Sequence, residues 1–151
     1  MNEPTGPQLA ARLRALLPSD RQASYDDNLE SVSYQVNGEA GRTNSACGAL
    51  MALTGPFREC LDEGDFATAG RLVDEMERLL GEFPDPTGLD GSIANSVLAC
   101  FLESVLPVDR AAHDAIRPHI GPLIESHAKR FDPWWLRPEP PGPRETLRSA
   151  D

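Results

Sequence analysis

The chain has 151 residues, enough for one domain, and its 24 acidic and 14 basic side chains give a formal net charge of -10. Acidic surfaces repel nucleic-acid phosphates and anionic lipids, which disfavours a nucleic-acid-binding or membrane-binding role. No stretch approaches the roughly 20 apolar residues that span a bilayer, and the N-terminus lacks the basic start of a signal peptide. We therefore expect a cytoplasmic protein. Its single lysine beside 13 arginines is typical of a GC-rich bacterial genome.

The N-terminal part is the least regular. Residues 8–17 are predicted to form a short helix that Pro18 ends. Residues 19–43 are polar, and their apolar residues alternate before an Asn-Gly pair, which is typical of a hairpin strand: Val32, Tyr34 and Val36. Because no convincing second strand follows, we expect an irregular, extended segment over residues 19–43.

The clearest periodic signal follows. Apolar residues recur at three- and four-residue steps over residues 44–64, and Pro56 is predicted to kink or break this helix after Thr54. Asp65 offers an N-cap for a second amphipathic helix over residues 66–83. Since the link between the two helices is so short, they are predicted to pack as an antiparallel hairpin.

The C-terminal half predicts further helices. Residues 84–91 are rich in Pro and Gly and should form a loop. The wide apolar face of residues 92–106 predicts the central, most buried helix. Asp109 can cap another helix, which Pro118 should bend or split before it continues through residues 120–127.

We therefore predict an all-α fold, a compact bundle of about four to six helices built on the hairpin. A single helical domain covers residues 1–136, and the Pro-rich tail 137–151 is expected to be flexible.

The three cysteines give no metal or disulfide signature. The number of cysteines is odd, and the chain contains no CxxC motif; the three are Cys47, Cys60 and Cys100. Cys47 and Cys60 would lie roughly 20 Å apart on one helix, too far for a bridge. We expect three thiols, mostly buried, and neither a metal nor another cofactor.

Catalytic motifs are weak. His113, His119 and His127 do not recur at ligand spacing, and Ser126 with Lys129 matches the S-x-x-K spacing of serine acylases without the companion motifs. An alternative function remains: a small metal-dependent or acyl-transfer enzyme in which these histidines converge with Asp109 or Glu103. We expect a non-enzyme and no catalytic residue.

The negative charge is concentrated. Residues 58–90 contain ten acidic and three basic side chains. This acidic stretch is either a solvated face or a docking surface for a basic protein, because complementary charge speeds and orients association. The candidate partner-binding residues are Asp62, Glu63, Asp74, Glu75, Glu77 and Glu82.

Two further groups are candidates. Trp134 and Trp135 close the core or serve as an exposed binding anchor, since tryptophan is enriched at hot spots. Asn95 and Glu103 are polar residues on the otherwise apolar third helix. They form a possible polar site, or they are buried and bonded to a loop backbone.

The order of several short motifs resembles a family of uncharacterised bacterial all-helical domains. The matching stretches are the EGDF turn at 63–66, the LVDEMERLL helix at 72–80, NSV at 95–97 with FLE at 101–103, and IGP at 120–122 before the Trp pair. The resemblance covers about residues 47–135 and implies an all-α fold. Segment 19–43, the Pro-rich stretch 84–91 and the tail depart from it, and it implies no catalytic residue.

Size and charge together predict an acidic helical protein-binding module. Its most concrete form is an immunity-like or antitoxin-like inhibitor of a basic partner, such as a nuclease toxin. A homo-oligomeric structural module is a further alternative.

Overall fold

The computed structural model describes residues 4–37, 45–84, 92–106 and 109–131, and in these ranges it contains helices and no strand. The predicted all-α fold is confirmed. The helices are α1 (Gly6–Arg14), α2 (Ser19–Asn37), α3 (Ala46–Asp62), α4 (Phe66–Glu82), α5 (Ile93–Ser96, a π segment Val97–Leu102, and Glu103–Val105), α6 (Arg110–Ile116, then a 3-10 turn Arg117–His119) and α7 (Pro122–Phe131).

Residues 19–37 form helix α2, so the prediction of an irregular, extended segment over 19–43 was wrong for them. Residues 38–43 lie outside the described ranges. The polar sequence of α2 forms a helix because α3 offers partners along one side. The Tyr25 hydroxyl donates to the carbonyl of Ala49 at 2.8 Å, and burial raises the pKa of that phenol. Arg21 bonds to Glu63 near the other end of α3. These pairs make α2 and α3 antiparallel.

The prediction for Pro56 was a kink or a break after Thr54. Helix α3 continues through Pro56, so the break was wrong. A proline inside a helix removes the N–H that would bond to the carbonyl four residues earlier, here that of Ala52. The Asn28 side-chain amide donates to this carbonyl at 3.3 Å. A Cβ on Gly55 would collide with the same amide, so glycine leaves the space that the Asn28 side chain occupies.

A Schellman turn joins α3 to α4. Gly64 has φ +75°, and its N–H donates to the carbonyl of Leu61, while the N–H of Asp65 donates to that of Cys60. Asp65 then caps α4 as predicted, accepting from the N–H of Thr68 at 3.2 Å. Hydrogen bonding to the Thr68 side chain first, and then to its backbone N–H, lowers the pKa of the Asp65 carboxyl. The two helices pack against each other, as the short link requires.

Helix α3, rather than α5, occupies the central position, because it packs against α1, α2, α4 and α5. Its apolar face and those of its neighbours form one core. Phe57 of α3 and Phe101 of α5 meet edge to face at 5.3 Å, and both are fully buried. Helices α6 and α7 pack against α4. Helix α4 therefore lies between this pair and helices α1 and α2.

Local caps place the later helices close to their predicted positions. Ser92 caps α5, and Asp109 caps α6. Pro118 lies in the 3-10 turn between α6 and α7, so the predicted split is confirmed. No helix in the described ranges is long and apolar enough to cross a membrane.

The expectation of three thiols was wrong. Cys47, in the first turn of α3, and Cys100, in the π segment of α5, form a disulfide with their Cα atoms 5.5 Å apart. Cys60 is free and buried. The pairing joins residues 53 positions apart, and spacing along the chain carries no signal for it.

Candidate functional site

Glu75 does not lie on an exposed acidic face. Its side chain is 2% exposed, and its carboxylate bonds to the Arg12 guanidinium at 2.5 Å and to Arg78. The hypothesis that Glu75 belongs to a docking surface is therefore wrong. The reason lies in α1, which brings a cation against the side of α4 that the sequence pattern assigns to solvent.

Glu82 serves the same link between α1 and α4. Its two carboxylate oxygens accept from Arg12 at 2.7 and 3.3 Å. These hydrogen bonds from Arg12 lower the pKa of the Glu82 carboxyl. Arg12 thus binds two of the six predicted docking carboxylates, and both help to hold α1 on α4.

Asp74 and Glu77 face the C-terminal segment. Asp74 contacts the Nδ1 of His119 at 2.9 Å, and the His119 ring lies directly over Gly70, where a Cβ would collide with it. The Glu77 carboxylate accepts the backbone N–H groups of the first turn of α7, at 2.9 Å from Leu123 and 3.0 Å from Ile124.

Glu77 therefore caps α7 from another helix. The first N–H groups of a helix have no partner within it, and a carboxylate there also interacts favourably with the helix dipole. Gly121 precedes α7, and a Cβ at this position would overlap the Glu77 carboxyl group. Glycine at 121 thus permits the contact that fixes α7 on α4.

Glu63 and Asp62 lie at the end of α3, beside the start of α2. The Arg21 side chain, 10% exposed, makes a two-pronged contact with Glu63 at 2.8 and 2.9 Å and also reaches Glu59. These bonds raise the pKa of Arg21 and lower that of Glu63. Glu63 nevertheless remains 62% exposed. Asp62 is exposed and forms no ion pair in the described part of the chain.

A second set of carboxylates, which the sequence did not single out, lies on the outer face of α2. Asp20, Asp27 and Glu30 are exposed and form no ion pair with any described residue, whereas the neighbouring Asp26 bonds to Arg14. At 100° per residue the three fall within about 80° of the helix circumference and span about 15 Å along it. The only basic residue of α2, Arg21, is buried.

These residues form what we call the α2–α3 acidic surface: Asp20, Asp27, Glu30, Asp62 and Glu63. The bond between Arg21 and Glu63 places the end of α3 beside the start of α2. One signal for α2 was present in the sequence. Tyr25, Leu29, Val32 and Val36 recur at steps of four, three and four, which is helical spacing.

The possible polar site on α5 is not a buried pair. Glu103 is exposed and Asn95 is half-buried. The Asn95 backbone N–H donates to the Ser92 hydroxyl as part of the α5 cap. The interpretation that both side chains are buried against a loop backbone was therefore wrong for Glu103.

The histidines occupy different environments. His113 is buried, and neither ring nitrogen has a hydrogen-bond partner. His119 bonds to Asp74 of α4, and His127 is half-buried on α7. In the described ranges no group of three or more His, Cys, Asp or Glu residues could hold a metal ion. The metal-dependent alternative thus finds no support in these ranges.

Trp134 and Trp135 lie outside the described residues, as does the tail 137–151. No protein-family model matches the chain, and no curated protein and no solved structure is significantly similar to it. The resemblance to the bacterial helical family therefore stays a prediction.

Proposed function

We propose that this chain is a protein-binding module that recognises a basic partner through the α2–α3 acidic surface. One observation carries the proposal. The carboxylates of Glu75, Glu77 and Glu82 on α4 are bonded inside the molecule. The exposed carboxylates of Asp27 and Glu30 on α2 form no ion pair with any described residue. Charge that is not used for folding is available to a partner.

Such a surface acts mainly on the first encounter between this chain and its partner. A net charge of -10 with one exposed acidic stripe attracts a cationic protein and orients it before contact. Exposed carboxylates add less to final affinity, because ion pairs at the rim of an interface are solvated and screened by salt. We therefore expect the association rate, more than the dissociation rate, to depend on this surface.

The narrower form of the proposal is an immunity-like or antitoxin-like inhibitor that covers a basic nuclease in the cytoplasm. An acidic module of this size can occupy a cationic groove that otherwise binds nucleic-acid phosphate. The net charge of the chain and the unpaired stripe on α2 support this form.

The test uses the purified products of the genes adjacent to that of this chain, among which the proposal expects a basic protein, and two matched charge reversals. Asp27→Lys changes the α2–α3 acidic surface. Asp114→Lys changes the net charge equally on α6, where the side chain is 60% exposed. Association is measured by stopped flow at low and physiological salt.

We expect Asp27→Lys to slow association by about threefold or more at low salt, and Asp114→Lys to have a much smaller effect. The difference should shrink as salt screens the charges. Equal slowing by both variants would show that only net charge matters. A basic neighbour that does not bind, or whose nuclease activity persists in the complex, would contradict the binding proposal or its inhibitor form, respectively.

A further inference from the structure

The disulfide between Cys47 and Cys100 connects two elements that come from different parts of the chain. Cys47 lies in the first turn of α3, just after the Ser45 cap, and Cys100 lies in the π segment of α5. Helix α4 lies within the loop that the bond closes. The bond therefore fixes α5 on the central helix.

The packing of α5 does not depend on this bond alone. Phe101 packs edge to face on Phe57, and Arg58 of α3 donates to the backbone carbonyl of Ser104 at 2.8 Å. Val97 and Leu102 are also fully buried. Because these contacts remain when the sulfur atoms separate, the reduced chain should stay folded, with a less constrained α5.

The local backbone at Cys100 is itself unusual. The π segment Val97–Leu102 interrupts the α-helical hydrogen bonding of α5 for six residues. Such segments are rare and occur frequently at functional sites. The crosslink to α3 is therefore attached to the irregular part of α5.

The exposure of the three cysteine residues differs. Cys47 and Cys100 are both half-buried, so a small reductant can approach their bond in the folded protein. Cys60 is fully buried, and burial raises the pKa of its thiol, which disfavours the reactive thiolate. Thiol–disulfide exchange is thereby confined to one pair.

We propose that Cys47 and Cys100 form a reversible redox switch that fixes α5 on α3 when oxidised and leaves α5 packed but less constrained, within a folded chain, when reduced by a dithiol. A thiolate of the reductant attacks one sulfur of the bond, forms a mixed disulfide and releases the other cysteine as a thiolate, which takes up a proton. The second thiol of the reductant then attacks the mixed disulfide, forms a disulfide with the first thiol of the reductant and releases the remaining cysteine. Two electrons and two protons pass to Cys47 and Cys100.

The first experiment counts thiols. The full chain is incubated with oxidised glutathione, denatured and alkylated with iodoacetamide, and its peptides are identified by mass spectrometry. We expect Cys60 to carry the label and Cys47 to be linked to Cys100. Labelling of all three cysteines, or glutathione on either member of the pair in place of the bond, would overturn the proposal.

The second experiment separates a switch from a buried structural crosslink. Dithiothreitol is added without denaturant, and labelling of Cys47 and Cys100 is followed together with circular dichroism at 222 nm. We expect both cysteines to become labelled while the helical signal persists, and oxidised glutathione to restore the bond. Reduction only after unfolding, or loss of the helical signal upon reduction, would refute the switch.

Variants supply the control. Cys60→Ser should respond to dithiothreitol as the natural chain does, whereas the double variant Cys47→Ser, Cys100→Ser should give no response. Amide hydrogen exchange in α5 should increase upon reduction in the natural chain and in Cys60→Ser, and should not change in the double variant. A response in the double variant would assign the effect to another group and contradict the proposal. None of these measurements depends on the partner-binding function.

Discussion

Reduction of the Cys47–Cys100 bond should lower the free energy of unfolding by a calculable amount. A crosslink restricts the unfolded chain more than the folded one, and the effect grows with the logarithm of the closed loop. The paired cysteines are 53 residues apart. This separation corresponds to a loop-closure entropy of about 14 cal/mol/K, or about 4 kcal/mol at 25 °C.

The size of this effect is consistent with a folded reduced form. Domains of this size typically unfold with a free energy of about 5 to 15 kcal/mol, so a loss of about 4 kcal/mol leaves the folded state favoured. With a urea dependence of about 2 kcal/mol/M, the unfolding midpoint should fall by about 2 M.

The assay is urea unfolding followed by circular dichroism, with and without dithiothreitol. The natural chain and Cys60→Ser should both lose about 2 M in midpoint upon reduction. The double variant Cys47→Ser, Cys100→Ser should start at the lower midpoint and not respond. A change below about 1 kcal/mol in the natural chain would refute the loop-closure reasoning, because even a 15-residue loop is worth about 3 kcal/mol.

Three further predictions concern contacts between helices. Asn28→Ala should lower the free energy of unfolding by about 1 to 3 kcal/mol in urea melts, because the carbonyl of Ala52 loses the donor that replaces the missing proline N–H; an unchanged midpoint would contradict this role. Gly121→Ala should cost about 1 kcal/mol and increase hydrogen exchange at the start of α7, because the added Cβ displaces the Glu77 carboxylate from its cap; unchanged exchange at residues 123 and 124 would refute it. Hydrogen bonds from Arg21 hold the pKa of Glu63 below its usual value. The ion pair therefore stabilises the fold above the unfolded-state pKa of the carboxyl, and this stabilisation is lost as the pH falls through the lower folded-state pKa. Urea midpoints should therefore fall less between pH 7 and pH 3 in Glu63→Gln than in the natural chain, and equal losses would exclude this contribution.

The acidic face of α4 shows why charge pattern alone misplaced the candidate site. Periodicity identified the apolar stripe of α4 correctly, with Leu72, Met76 and Leu79 all fully buried. The same periodicity predicted that every carboxylate of α4 outside this apolar stripe is exposed to solvent. Arg12 lies 63 residues before Glu75, and no local rule relates the two positions. Burial of Glu75 depends on α1 meeting α4, which is a tertiary event.

Helix α2 shows the opposite failure, in which a local pattern was read with the wrong period. Three alternating apolar residues suggested a strand, although two of them, Val32 and Val36, continue the helical spacing that begins at Tyr25 and Leu29. The polar composition of residues 19–37 gives a weak amphipathic signal. Its partners Ala49 and Glu63 belong to α3, so the helix is stabilised mainly by contacts that sequence spacing does not reveal.

The sequence by itself determined the all-α class, the turn at Gly64 and the caps at Asp65 and Asp109, because each depends on residues within one or two helical turns. Only the tertiary structure decided which carboxylates remain exposed and which cysteines pair. Both outcomes depend on residues tens of positions apart meeting in space. Composition fixed the net charge. Packing decided which carboxylates find partners inside the molecule: those of α4 do, and the outer face of α2 stays acidic.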